Sequence, residues 1–588
     1  MNKARKQPHK RGFFKRLVQE SGLLSCTRFL SARLVHFFEY GFASPLLKYG
    51  KRVDGIIREK ITDPLFEKIG FRQNFSIPVR SAVASFFERN PIIKTLNALR
   101  LAFLSLSMRT MGVFTLTFGI YTAAIFLLKS YIDVSFGSEA GISDISVAAV
   151  SIIVGLLFTL FGDKSILHTV GTSRIVGSLL ENRLGVNEAY FDITRREKTT
   201  TSVAIAFLLG SVFGISTLFL PTVKLIGFAV AFLLALTIMC ITEFGFMLSV
   251  VTCTFLPVEY SFFICIASIA SYLLKCLRLK RSMRFGTADT VMLLALLALI
   301  ITCSVSGVGT ARGELYLICF TAIYFLAKNL LISKALVVQT FNALCIGTGI
   351  GIALYILGDY ATLIPHEHFR SLALLLSANA IEPELLAMII SVTVPFALTS
   401  RADGNAKNYL LLCAVAAVLI DSTLFYVIIA VSVLVYIFIT YKAPVGTFFA
   451  SLIILPPLVV FARDYTYSKT VVFGAKTMSH VALSDEIQTT GFWSGVIEVG
   501  SVATLILLVI AIVLILQRLL GERIACTDVN YVKYSGAATS SAVNMLICSF
   551  LFNAFSDLRI YSVIFVVLGL CGAIYRLMTV PVSYSTEV

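Results

Sequence analysis

The chain has 588 residues, of which 57% are hydrophobic and only 14% charged, and its mean hydropathy is +0.88. Soluble domains carry roughly a quarter charged residues, so the composition excludes a water-soluble globular protein. The formal net charge of +16 is concentrated at one end, because residues 1–100 hold twenty Lys and Arg against seven Asp and Glu.

Residues 1–108 read as a basic cytoplasmic or interfacial region. Gly12–Val18 and Leu46–Ile57 set apolar residues at helical spacing among Lys and Arg, a pattern that can lie in the headgroup layer against anionic lipid. A solvated basic tail is the equally weighted alternative. Nucleic acid is not expected as a partner, since no recognised module or aromatic platform accompanies the charge. No cleavable signal peptide is visible, and the first span is expected to do the targeting.

A helix crossing the hydrocarbon layer needs about 20 mostly apolar residues. The first such runs, 111–131 and 147–162, form a hairpin followed by a cytoplasmic loop over 163–200. Further runs fall at 201–220, 224–241, 243–257, 259–276, 288–306, 315–332, 338–357, 384–399, 409–420, 424–441, 446–462, 494–518, 538–555 and 561–577, giving sixteen with the hairpin. They lack the two-residue alternation of a membrane barrel, so the expected fold is an all-α polytopic membrane protein of about 14–16 transmembrane helices.

Lys94, Arg100 and Arg109 flank the first span and hold its start inside. Alternation then places Lys275, Arg278, Lys280, Arg281 and Arg284 inside, together with the 581–588 tail. Both termini are expected in the cytoplasm of a multi-pass cell-membrane protein. The twelve cysteines are scattered, mostly within spans and without a CxxC pair, so they read as packing residues.

Two long polar connections, 358–383 and 463–493, fall on the outer side, where chemistry on a rigid bundle is expected. The first carries His366, Glu367, His368 and Arg370, then Glu382 and Glu384 around Pro383. Two imidazoles do not make a metal site, and acidic residues beside a proline also suit an ordinary helix start. Arg312, Arg370, Arg463 and Arg559 are the arginines this topology exposes outside. A guanidinium forks two donors onto phosphate oxygens, although it also serves as an interfacial anchor. Gly307-Val-Gly309-Thr-Ala-Arg312-Gly313 lacks the preceding strand of a nucleotide loop. Gly347-Thr-Gly349-Ile-Gly351 lies inside a span and reads as close helix packing. Asp289, Lys328, Asp421 and Glu498 fall near span ends, leaving the midplane almost uncharged and weakening an ion-coupled transporter reading.

Thr287-Ala-Asp289 opens a span ending Ser304-Val-Ser306, and Leu315–Lys328 runs into Asn329-Leu-Leu-Ile-Ser333. Arg370 precedes Asn379-Ala-Ile-Glu382-Pro383 and a span ending Val394-Pro395-Phe-Ala-Leu398; Val496-Ile-Glu498-Val-Gly500 and Asn553-Ala-Phe-Ser-Asp557 follow. In order and spacing, these motifs and the layout from about residue 240 to 577 resemble the O-antigen ligase and polymerase family of membrane glycosyltransferases. Two motifs depart: Ile420-Asp421-Ser422-Thr423 stands where members carry Ser-Arg-Gly, and Thr489-Thr490 where they carry His-Asn.

The resemblance implies a ligase-like transmembrane domain over 201–580, preceded by a hairpin and loop over 109–200. It further implies transfer of a glycan from a polyprenyl-diphosphate carrier to an acceptor hydroxyl on the outer face, without a cofactor or metal. Arg370, with Arg312 or Arg463, would stabilise the departing diphosphate, and a carboxylate such as Glu382 or a loop imidazole would accept the acceptor's proton. Arg463, His366, His368, Asp421 and Glu384 would bind substrate. The departures leave two alternatives open: a non-catalytic scaffold for lipid-linked glycan, and a lipid-substrate transporter.

Overall fold

The computed structural model describes residues 44–62, 106–131, 142–160, 203–277, 283–306, 311–363, 365–377, 380–381, 383–400, 404–420, 423–441, 492–551 and 558–579, with a few single residues besides. Among them every regular element is helical. Seven helices are long and apolar enough to cross a membrane, and shorter apolar helices accompany them, so the chain is an all-α membrane protein.

The helices are α1 (Ser44–Ile57), α2 (Met108–Tyr131), α3 (Ile142–Leu160), α4 (Val203–Ser216), α5 (Thr222–Cys240), α6 (Thr242–Thr252), α7 (Val258–Leu277), α8 (Thr287–Ser306) and α9 (Ala311–Leu330). They continue as α10 (Lys334–Asp359), α11 (Glu367–Ser377), α12 (Pro383–Thr399), α13 (Gly404–Leu419), α14 (Thr423–Tyr441), α15 (Phe492–Gly500), α16 (Val502–Ala525), α17 (Val529–Leu551) and α18 (Leu558–Thr579). The chain divides into two compact units, one made of Met1–Ile69, Val250–Val258 and Arg284–Val588, the other of Gly70–Ser249 and Glu259–Met283.

In the second unit, α2, α3 and α4 pack through glycine. A Cβ on Gly112 would lie 2.5 Å from the Thr159 nitrogen, and one on Gly155 would lie 2.5 Å from the Leu116 nitrogen. With lipid tails as apolar as leucine, helices gain from such backbone approach rather than from hiding oil. Serines add polar ties between α5, α6 and α7: Ser271 Oγ donates to the Ile238 carbonyl at 3.0 Å, and the Ser249 and Ser268 hydroxyls meet at 3.1 Å. Exposed Val150, Ile153, Leu156 and Leu157 on α3 form an apolar outer face suited to lipid.

The first unit is built around α18, almost wholly buried from Leu558 to Leu577 and packed chiefly on α9. Gly569 makes this possible, since a side chain there would collide with the Tyr324 carbonyl. The expected packing role of Gly347 and Gly351 holds: a Cβ at Gly347 would come within 2.5 Å of the Val251 carbonyl oxygen, and one at Gly351 within 3.1 Å of that of Thr254. Gly349 has only ordinary contacts. Nine of the eleven described cysteines are buried, consistent with packing.

Fifteen of the sixteen apolar runs coincide with helices, while 446–462 lies outside the described residues. The run 494–518 differs. It is divided between α15 and α16 at Ser501, whose φ of 101° is a left-handed conformation that a side chain resists. The second difference is in 358–383, expected as a long polar loop. It contains a short 3-10 turn (Ala361–Leu363) and the amphipathic α11. Buried Ala373, half-buried Arg370 and half-buried Ser377 share one face of α11, whereas Phe369, Leu374, Leu375 and Leu376 are exposed.

Candidate functional site

A concentrated set of buried charges lies where α8 begins and α9 ends. Asp289, the third residue of α8, is fully buried, and Lys328 is 7% exposed. The Lys328 ammonium pairs with Asp289 Oδ2, which also accepts the Gly286 N–H at 2.5 Å. One turn earlier on α9, the Tyr324 hydroxyl donates to Asp289 Oδ1 at 2.6 Å. Three donors thus converge on one carboxylate at a helix start, where the backbone N–H groups also favour negative charge.

A second ion pair adjoins it. Arg518 Nη2 on α16 donates to Asp54 Oδ1 at 2.6 Å, and the Thr287 hydroxyl donates to the same oxygen. The guanidinium passes so close to Gly286 that a Cβ there would lie 3.1 Å from Nη1, and its carbon lies 5.8 Å from the Tyr575 ring centroid. Asn329 extends the set: its Oδ1 accepts the Arg284 N–H at 2.8 Å, while Arg576 Nη2 reaches the Leu331 carbonyl at 3.2 Å. Lys328 thus pairs with Asp289 and Arg518 with Asp54, while Arg576 serves backbone carbonyls after α9. The ends of α9, α16 and α18 are thereby held beside the start of α8 and against α1.

Nearby, Lys334 at the start of α10 pairs with Asp528 between α16 and α17. That ammonium, with the Asn530 N–H at 2.9 Å, holds the Asp528 carboxyl below the usual carboxylate range.

A separate neutral polar network sits mid-helix in α12. Pro395 has no N–H, so it leaves the Ser391 carbonyl without its helical donor. Asn544 Nδ2 of α17 and Ser432 Oγ of α14 supply donors instead, at 2.9 and 2.6 Å, and Ser541 Oγ donates to the Val392 carbonyl at 2.7 Å.

The residues singled out from sequence fall elsewhere. Arg370 and His366 are described: His366 is exposed, its carbonyl accepts the Arg370 N–H at 2.9 Å, and its ring meets that of Phe369 edge-on at 6.2 Å between centroids. Arg312, His368 and Glu384 lie on the first turns of α9, α11 and α12 respectively, with side chains outside the described set. Glu382, Asp421 and Arg463 lie outside the described residues altogether. Among the described residues no group of three or more His, Cys, Asp or Glu could hold a metal.

The ionic cluster is what sequence reading missed as a unit, though not in every part. Thr287, Asp289, Lys328 and Asn329 all belong to motifs that carry the family resemblance, and Asp289 and Lys328 stand out as charges at span ends. Arg518 stood out only as one of the charges, with Glu522 and Arg523, in the last turns of an otherwise apolar 24-residue helix. Asp54 carried none.

The class that this fold defines is an all-α membrane protein with a polar, charge-paired end and a proline-containing, polar helix centre. No protein-family model matches the chain, and no curated protein or solved structure matches it either.

Proposed function

We propose that the protein ligates or polymerises cell-surface polysaccharide, moving a glycan from a polyprenyl-diphosphate carrier to an acceptor hydroxyl at the outer face of the cell membrane. The observation that carries this reading is Arg370, half-buried on the inward face of α11 while Phe369, Leu374, Leu375 and Leu376 are exposed on the same helix. A guanidinium set among apolar side chains at a bundle end matches a ligand with a diphosphate head and a hydrocarbon tail. The motif order from Thr287 to Asp557 supports the same reading.

In this reaction the acceptor oxygen forms a bond to the anomeric carbon as the bond to the diphosphate breaks. The diphosphate leaves with the electron pair, and the acceptor's proton passes to a carboxylate, Glu382 in this proposal. Arg370 acts on the charge that develops on the leaving group.

The test is transfer from a polyprenyl-diphosphate oligosaccharide in proteoliposomes. Arg370→Ala should lower turnover by about 100-fold or more, as removal of one such donor does, with Arg370→Lys intermediate. Unchanged transfer in Arg370→Ala would remove that residue from the mechanism. Wild-type protein that binds the carrier but transfers nothing would favour the scaffold reading instead.

A further inference from the structure

α1 sits at the ends of two membrane-length helices. Its Asp54 is bound by Thr287, the first residue of α8, and by Arg518, in the last turns of α16. Both α8 and α16 are long and apolar enough to cross a bilayer. An element tied to both of their ends lies at the boundary between hydrocarbon and water, whichever side that is.

The two faces of α1 differ. Asp54 and Ile57 turn toward the bundle, with Ile57 8% exposed. Lys48, Lys51 and Arg52 are all exposed, at the i, i+3, i+4 spacing that puts side chains on one side of a helix. The same stripe continues through Gly55 to Ile56, itself exposed, and contains no acidic residue. The π-helical turn that follows, Arg58–Thr62, adds exposed Arg58, Glu59 and Lys60. Three cations and an isoleucine are therefore presented at the depth where phospholipid headgroups stand.

We infer that this stripe of α1 is a binding surface for anionic phospholipid headgroups, with Lys48, Lys51 and Arg52 as the contacting cations. Charge complementarity and the depth fixed by Thr287 and Arg518 select this occupant over a soluble polyanion. Lys and Arg bury their stems along apolar surface while keeping their charges at the interface, and Ile56 is placed to enter the upper acyl region. The inference does not depend on the glycan-transfer proposal, because it uses no residue of that site.

The experiment is hydrogen–deuterium exchange of the Ser44–Ile57 backbone in the full chain, reconstituted in nanodiscs of phosphatidylcholine with or without phosphatidylglycerol. Each surface cation supplies roughly a five-fold preference, so three together supply on the order of 100-fold. Phosphatidylglycerol should slow exchange in this segment about ten-fold or more, and raised salt should reverse the effect. The triple substitution Lys48→Gln, Lys51→Gln, Arg52→Gln should abolish the difference, whereas Lys48→Arg, Lys51→Arg, Arg52→Lys should preserve it. Because these side chains are exposed, the exchange pattern of α16 and α18 should stay unchanged and report an intact fold. Equal exchange in the two nanodiscs, or a phosphatidylglycerol effect that survives the glutamine variant, overturns the inference. Protection conferred by a soluble polyanion in phosphatidylcholine nanodiscs, without any phosphatidylglycerol effect, also overturns it.

Discussion

Lys328 and Asp289 make the clearest residue-level argument, because neither can be removed alone without leaving the other in an apolar setting. Asp289 is fully buried, and its remaining donors are one N–H and one hydroxyl. Removing one partner of a buried pair typically costs about 3–5 kcal/mol, whereas replacing both by neutral groups of similar size costs far less. Lys328→Met should therefore lower the unfolding free energy in detergent by about 3 kcal/mol or more. Lys328→Met combined with Asp289→Asn should recover most of that loss. Equal losses in the single and double variants would show that the ammonium and carboxylate do not depend on each other. Gly572 reports the packing side of the same residue: a Cβ there would lie 3.2 Å from Lys328 Cδ, so α18 carries a glycine where the lysine stem passes.

At the scale of the element, α12 shows how an apolar helix accommodates a proline in lipid. The Ser391 carbonyl, left without a backbone donor by Pro395, receives side-chain donors from α14 and α17, so the freed carbonyl is itself a site of helix association. Asn544→Leu should cost about 1–3 kcal/mol by leaving this carbonyl short of a donor. In a Pro395→Ala background the restored N–H serves Ser391, and the cost of Asn544→Leu should shrink. A double-mutant cycle by thermal unfolding reads this coupling, and a cost that is the same in both backgrounds would reject it. The proline itself was legible in the sequence, in Val394-Pro395, but its partners were not, since nothing in the sequence ties Ser432 or Asn544 to Ser391. Helix boundaries were legible because a run of apolar residues is its own signal in a membrane. The break at Ser501 was missed although Glu498, Gly500 and Ser501 interrupt the apolar run there, because the run as a whole was long enough to read as one span. Helix α11 escaped for a different reason: at eleven residues it is too short to read as a span, and its charged start belongs to a polar connection.

At the scale of the whole molecule, long-range pairing is what a single sequence conceals. Asp54 and Arg518 stand 464 residues apart, and no periodicity links them. Their contact nevertheless sorts the helix ends of the first unit. The starts of α8 and α10 and the ends of α9, α16 and α18 meet at one end through Asp289–Lys328, Lys334–Asp528, Arg518–Thr287 and the bonds from Arg576 to the stretch after α9. Helix α10 then runs 26 residues, about 39 Å at 1.5 Å per residue, long enough to carry Asp359 and the connection to α11 across the hydrocarbon thickness. A crossing by α10 predicts that Lys48 on α1 and Leu363 before α11 lie on opposite faces of the membrane, and the prediction uses no helix of the second unit. Lys48→Cys and Leu363→Cys, each in a Cys26→Ser, Cys276→Ser, Cys526→Ser background that leaves only the nine buried native thiols, should react with an impermeant maleimide from opposite sides of sealed vesicles. Positive charge around the first span predicts that position 48 is the one protected in intact cells. Labelling of both positions from one side would break the assignment of α10 as a crossing. Labelling of position 48 alone in intact cells would keep the crossing but reverse the orientation, and α11 with Arg370 would then face the cytoplasm, where an extracellular glycan acceptor is out of reach.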